Sequence, residues 1–282
     1  MTFTRLTLYP LVVGTLDKNI EFNEKALNIR RNILKIIHTA QASHLGSSMS
    51  VVEMLISMYS VSNVKKILAG TKDRDRIIVS KGHAAAATYA VMHEFGLMEK
   101  GTLHTYHQIG SMLQGHVSHG VKYVEHSTGA LGHGLSVGVG HAIYLKFKKY
   151  DSKVMVLCGD GEIQEGSVWE AVMLATTKKL DNLFLLIDVN GISSIKGTED
   201  IISTGDLSDR FKGFGFNVKR VDGHNIEEIK SALENKTLNS FPTAILCTTV
   251  KGKGVSFAEG EPIWHYKSLS DELLTKALEE LK

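Results

Sequence analysis

Asp160 stands between Gly159 and Gly161 in the stretch GDGEIQEG, directly after the apolar run VMVL. Thirty positions later a second apolar run, NLFLLID, leads into Asn190 and Gly191. A carboxylate and an amide oxygen are hard donors that suit a Mg²⁺ or Ca²⁺ ion completing its shell with water and phosphate oxygens. A backbone carbonyl just past Asn190, that of Ile192, can join them. Gly159 and Gly161 let the main chain approach phosphates closely, and the helix start that follows offers N–H donors at its positive dipole end. Gly-Asp-Gly alone suits a solvated turn equally well. The Asn-Gly pair at the next strand end favours a metal-diphosphate site, provided the two apolar runs are neighbouring strands, whose ends then lie ~5 Å apart.

The elements around these residues support that condition. KVMVLC reads as a buried strand, EGSVWEAVMLATTKK as a helix and NLFLLID as the next strand. FNVKRV, a helix opened by Asn225 and Glu228 in a capping-box pattern, and PTAILCTTV continue the alternation. Continuous apolar strands separated by helices indicate an α/β fold, a mostly parallel sheet with helices on both faces. Ligands of such sheets bind beyond the carboxyl ends of the strands. The first third is more helical. Residues 23–40 carry apolar side chains at helical spacing, Ser50 to Val61 reads as a helix with Ser50 as N-cap, Arg76 to Ser80 as a short strand, and AAAATYAVMHEF as the helix after it.

With these motifs in place, the chain resembles the transketolase family of thiamine-diphosphate enzymes. GDGEIQEG with Asn190 downstream resembles the thiamine-diphosphate signature. ASHLGSSMSVVEML (Ala42 to Leu55), DRDRIIVSKGHAAAATYA (Asp73 to Ala90), GHVSHGVKYVEHSTGALGHGLSVGVGHA (Gly115 to Ala142) and VKGKGVSFAEGEPIWH (Val250 to His265) resemble transketolase motifs in their family order. The resemblance implies a thiamine-diphosphate-binding fold of the diphosphate-domain type. It also implies transfer of a two-carbon ketol unit from a ketose or ketose phosphate to an aldose. The cofactors implied are thiamine diphosphate and Mg²⁺, with Ca²⁺ or Mn²⁺ as substitutes.

Residue by residue, the resemblance makes Asp160, Asn190 and the Ile192 carbonyl the metal ligands. His44 would touch the donor's hydroxyls, His83 would lie near the diphosphate and the reacting carbon, His116 would line the substrate channel, and His265 would contact diphosphate and substrate. Cofactor contacts fall on His83, Gly129, Leu131, Gly159, Gly161, Glu162, Asn190 and His265. Gly129 and Leu131 equally suit a glycine-rich helix start that packs closely on a neighbour. Glu165 matches a subunit-contact glutamate or, equally, a glutamate favoured by the helix dipole. Trp169 reads as core. His93, His104, His107, His119, His126, His141 and His224 read as surface or satisfied core residues. Two positions depart from the pattern: Leu45, where full-length members carry proline, and His133, where glutamine is common.

Cofactor activation in the family needs a glutamate from a second, pyrimidine-binding domain, for which no further α/β series remains after the amphipathic SLSDELLTKALEELK. The expectation is therefore the N-terminal subunit of a split transketolase, working in an α2β2 assembly with a C-terminal subunit. An N-terminal arm (1–20) and one diphosphate-type domain (21–282) are the expected organisation. A formal charge of +2 from 32 basic and 30 acidic residues, with no basic stripe, excludes a nucleic-acid footprint. No run reaches the ~20 apolar residues of a membrane helix. Cys158 and Cys247 lie in apolar strands, as buried thiols of a cytoplasmic protein do. The rival readings are one chain of a 2-oxo acid dehydrogenase, a deoxyxylulose phosphate synthase and a non-catalytic cofactor-binding module. The first two lack HLG combined with SKGH, and the last has no need to keep metal donors and histidines together.

Overall fold

The apolar runs form five parallel strands: β1 (Arg76–Val79), β2 (Val154–Gly159), β3 (Leu183–Val189), β4 (Asn217–Asp222) and β5 (Thr243–Thr248). Their order is β1-β2-β3-β5-β4. This computed structural model describes residues 11–99, 101–235 and 239–282, with only the backbone of 11–19. β2 and β3 pair directly, Gly159 opposite Asp188, so the two candidate metal-ligand segments leave the same sheet edge side by side.

Ten α-helices are found among the described residues: α1 (Leu11–Ala40), α2 (Leu45–Met49), α3 (Val52–Ser60), α4 (Val64–Leu68), α5 (Ala85–Glu94), α6 (His133–Phe147), α7 (Gly166–Thr177), α8 (Leu207–Gly213), α9 (Ile226–Glu234) and α10 (Asp271–Glu280). They cover both faces of the sheet because each strand alternates its side chains. Val154, Val156 and Cys158 of β2 pack with α6, α7 and α8, while Met155 and Leu157 pack with α1, α3, α5 and α9. All five side chains are fully buried, and each contributes roughly 1.5–3 kcal/mol relative to exposure. Both cysteines are free and buried, one on each side of the sheet. No helix among the described residues is long and apolar enough to cross a membrane.

Three local expectations differ from the structure. Helix α1 begins at Leu11 rather than at residue 23, so residues 11–20 of the expected arm have helical backbone continuous with α1, and residues 1–10 lie outside the described residues. Ser50 is not an N-cap. It closes α2, and its hydroxyl donates to Asp188 Oδ2 (2.7 Å), a buried acceptor that outcompetes a local cap. The capping box at α9 is formed by half: Asn225 Oδ1 accepts from Glu228 N at 3.2 Å. The Glu228 carboxylate turns instead to Asp222 N (3.0 Å) and Asn225 Nδ2 (2.9 Å).

Candidate functional site

Beyond the carboxyl ends of β1, β2 and β3 lies a cavity of ≈ 500 Å³. Its wall contains all of the residues singled out from the sequence: His44, His83, His116, His265, Gly129, Leu131, Gly159, Asp160, Gly161, Glu162, Asn190 and Ile192. A larger opening, ≈ 690 Å³, lies at the opposite sheet edge between Asp75, Lys146, Lys153 and Asp181. Its charges are partly spent on each other, as in Lys146–Asp181 at 2.6 Å, and it is the edge that ligands of parallel sheets avoid.

The metal candidates meet as the pairing predicts. Asp160 Oδ1 accepts from Gly161 N (2.8 Å) and Oδ2 from Gly191 N (2.6 Å). Each carboxylate oxygen has room for a second partner. Burial, then the nearby Asp188 carboxylate, raises the Asp160 pKa to about 6, the mark of an acid placed where a cation is needed. Asn190 donates its Nδ2 to Asp188 Oδ2 (2.9 Å), and its Oδ1 accepts from Ile192 N (3.0 Å). The Ile192 carbonyl already accepts from a cation, the Lys251 ammonium, at 3.1 Å, and the Ser193 carbonyl accepts from the same ammonium at 2.6 Å. Among the described residues no cluster of three or more His, Cys, Asp or Glu side chains forms a metal centre. One carboxylate, one amide oxygen and one carbonyl are instead the sparse oxygen set of an ion that shares its shell with a phosphate ligand.

Across the cavity the four histidines form one cluster. Ring centroids lie 5.6 Å apart for His44 and His83, 5.3 Å for His44 and His116, 5.0 Å for His44 and His265, and 5.2 Å for His83 and His265. They come from four separate segments, and the backbone is bent to deliver them. His44 sits at φ 70°, ψ 24°, left-handed backbone that a non-glycine residue adopts at a cost of ~1–2 kcal/mol. A bond from His44 N to His265 O at 3.1 Å helps hold it there. Gly82, beside His83, has no room for a side chain: a Cβ there would lie 2.6 Å from the Thr128 carbonyl carbon. Burial, then neighbouring histidines and lysines, lowers the pKa of His44 to about 4 and of His265 to about 3. Burial and then Lys81 hold His83 well below 6.5, and burial and then His107 lower His116. These rings are neutral at pH 7, able to accept as well as donate a proton or hydrogen bond.

Glu162 lies behind the phosphate-side glycines. Its carboxylate accepts from the Ser80 hydroxyl, from Gly132 N (2.9 Å) and from Gly159 N (3.2 Å). Those donors occupy it with binding three loops together, so its reach into the cavity is through the loops it holds. Glu165 is the N-cap residue of α7 without a side-chain cap bond, and it lines the cavity. His133 opens α6 and is exposed, and Leu45 is fully buried at the start of α2. Trp169 stacks on Phe211 at 5.3 Å, in the core as expected. His224 bridges Glu53 Oε2 (3.0 Å) and Val250 N (2.9 Å), a satisfied structural histidine.

Three charged residues escaped the sequence reading although each lies inside a motif: Lys81 in SKGH, Asp188 in DVNG and Lys251 in VKGKG. All three are buried. The usable signal was a lone charge next to an apolar run, where burial demands a partner. Burial, then Lys81, lowers Lys251 to about 8. Two ammonium groups and helix-start amides thus face the cavity opposite Asp160, a pairing suited to an anionic group bridged to a cation.

Comparison with known proteins agrees with this geometry. Residues 23–281 match the family model described as transketolase, thiamine diphosphate binding domain. One of the two subunits of the apulose-4-phosphate transketolase of Actinobacillus succinogenes is 41% identical over 93% of this chain and 96% of its own length. A 6-deoxy-6-sulfo-D-fructose transketolase subunit from a Clostridium species is 34% identical over 94% of this chain and 98% of its own. The crystal structure of transketolase from Campylobacter jejuni superimposes with a TM-score of 0.84 at 32% identity. It covers 92% of this chain, which spans only 42% of that enzyme.

Proposed function

The chain belongs to the transketolase family, in its thiamine diphosphate binding domain, and we propose that it is the cofactor-holding subunit of a two-chain transketolase. The reaction is transfer of a two-carbon ketol unit from a ketose phosphate, or a ketose with another terminal anion, to an aldose acceptor. The observation that carries this reading is the single cavity in which Asp160 and Asn190, at adjacent strand ends, face four clustered histidines.

In this reading Asp160, Asn190 and the Ile192 carbonyl hold Mg²⁺, or Ca²⁺ or Mn²⁺ in its place. Gly159 and Gly161 let the main chain approach the diphosphate, with His83, His265, Lys81 and Lys251 around it, and Glu162 braces those loops from behind. Gly129 and Leu131 face the cofactor rings. Thiamine diphosphate supplies the electron sink that lets a carbon–carbon bond beside a ketone break and reform. The chain's own part is to orient and to move protons. His44 and His116 line the donor's path as neutral rings that accept hydrogen bonds from sugar hydroxyls. His83 and His265 are placed to take and return a proton at the reacting centre, an effect worth ~10²–10⁴-fold in rate.

The domain holding these residues runs over 21–282, preceded by the segment 1–20. Its partner is a second chain carrying the pyrimidine-side domain and the activating glutamate, in an α2β2 assembly. Support for a second chain comes from the subunit relatives, matched over nearly their whole length, and from the fraction spanned of the single-chain enzyme. Two buried free thiols suit a reducing, cytoplasmic setting.

The test is the Asp160→Ala variant, in complex with the chain that copurifies with this one. Mg²⁺-dependent thiamine diphosphate binding and ketol transfer are expected to vanish while assembly persists. Wild-type cofactor affinity in that variant would remove the metal assignment, and no ketol transfer by the wild-type complex from any ketose phosphate would remove the activity.

A further inference from the structure

Asp188 is fully buried, and four side chains from four different segments donate to it. Oδ2 accepts from Ser50 Oγ at 2.7 Å, from Asn190 Nδ2 at 2.9 Å and from the Lys81 ammonium. Oδ1 accepts from the Thr249 hydroxyl. Each donor sits next to a group of the cavity. Ser50 closes the short helix that begins after His44, and Lys81 precedes His83 by two residues. Asn190 is itself a wall residue, and Thr249 precedes Lys251 by two.

The consequence for Asn190 is chemical. An amide has two faces that differ only in which atom is oxygen, and a cation tolerates only the oxygen. Asp188 accepts and cannot donate, so the Asn190 NH₂ is drawn to it and Oδ1 is turned away, onto the side where Ile192 N lies. We propose that Asp188 is the positioning residue of this site. Its carboxylate fixes the Asn190 amide with oxygen toward the metal and ties the loops of His44, His83 and Lys251 to the same point. This rests on the reading of Asp160 and Asn190 as metal ligands. Groups behind the ligands of a metal site set ligand orientation, and their loss typically costs about 10–100-fold in affinity.

Asp188→Asn replaces an acceptor of four donors with one amide oxygen and two N–H groups. The Asn190 NH₂ then loses its acceptor, and the favoured arrangement flips the Asn190 oxygen inward to the new donor, away from the metal. Exchanging the two residues, Asp188→Asn with Asn190→Asp, removes the problem. A carboxylate at position 190 has oxygen on both faces, accepts from the amide at 188 and remains near the Lys81 ammonium.

The experiment measures Mn²⁺ binding in the presence of thiamine diphosphate, by the electron paramagnetic resonance of free Mn²⁺. It uses the complex purified through a tag on this chain. Asp188→Asn is expected to weaken Mn²⁺ binding about 10–100-fold, and the exchange to restore it to within about threefold. Should Asp188→Asn fail to assemble, Thr249→Val removes one anchor of the same carboxylate with little change in shape. It is expected to weaken Mn²⁺ measurably in a folded complex. A purely structural Asp188 would lower the unfolding midpoint of these variants and leave Mn²⁺ affinity unchanged. That result, or an exchange variant that folds but does not recover, overturns the proposal. If Asp160→Ala binds Mn²⁺ like wild type, the metal reading itself falls and takes this proposal with it. Loss in Asp160→Ala with no effect in a folded Asp188→Asn or Thr249→Val complex removes the proposal alone.

Discussion

A histidine buried as a neutral ring carries a signature that does not depend on turnover. His44 has a pKa near 4, lowered by burial first and then by His116, His107, Lys251 and Lys81. In the unfolded chain the same ring titrates near 6.5. Between those values the unfolded state binds a proton that the folded state refuses, so stability falls as pH drops from 6.5 toward 4 and the contribution levels off below. His44→Gln removes that contribution. Urea unfolding between pH 8 and 4 is expected to show the variant gaining on the wild type across that window, by up to ~1.4 kcal/mol per pH unit for one full proton. Water contact at the cavity wall makes the observed gain smaller. A difference that stays flat with pH would show that His44 is not held neutral. At this scale the sequence was informative where a residue's neighbours are implied by strand order, as for Asp160 and Asn190. It was silent where the partner is remote: Lys81 and Asp188 are 107 positions apart, and nothing near either one announces the other.

Helices α1 and α3 meet through a charged knot that holds the wall behind the cavity. Arg30 of α1 donates to both oxygens of Glu53 on α3, at 2.6 and 3.0 Å. Arg30 also donates through Nε to Lys253 O at 3.0 Å, which ties in the segment bearing Lys251. His224 adds a third bond to Glu53 and accepts from Val250 N, placing its proton on Nδ1 toward the carboxylate. Burial opposes the charge on Glu53, but Arg30 and His224 outweigh it and lower its pKa to about 2. Glu53→Ala leaves a buried guanidinium without its anion, at a cost of ~3–5 kcal/mol. The check is a fall in the urea midpoint at pH 7 with an unchanged slope; a loss below ~1 kcal/mol would mean that water reaches Arg30. Elements whose signals are local were legible, as with Asn225, whose cap partner lies three residues away. Ser50 looked like a cap because serine usually is one, yet its acceptor lies 138 positions away in β3. The early start of α1 was hidden by an N-terminal run whose apolar pattern also suits an arm.

For the whole molecule, the cavity is polar at its floor and apolar at its rim. Asp160, Lys81 and the histidines line its depth, whereas Ile195 and Tyr266, also in its wall, are 66% and 58% exposed. Large apolar side chains left open around a functional cleft mark a surface that another molecule covers. The proposed partner chain is the occupant consistent with relatives that are themselves subunits and with a chain spanning 42% of a single-chain enzyme. Carboxylates placed on this rim by Ile195→Asp and Tyr266→Asp would be desolvated without a counter-charge on assembly. An aromatic anchor lost from the centre of an interface typically costs ~2 kcal/mol or more, about 30-fold in affinity. The expected result is at least that loss of association in a titration of this chain against the copurifying one. The thermal midpoint of the isolated chain should barely move, because exposed substitutions seldom cost more than ~0.5 kcal/mol. Undiminished association would place the partner on another face, and the cofactor cavity would then have to be completed by a different surface of the assembly.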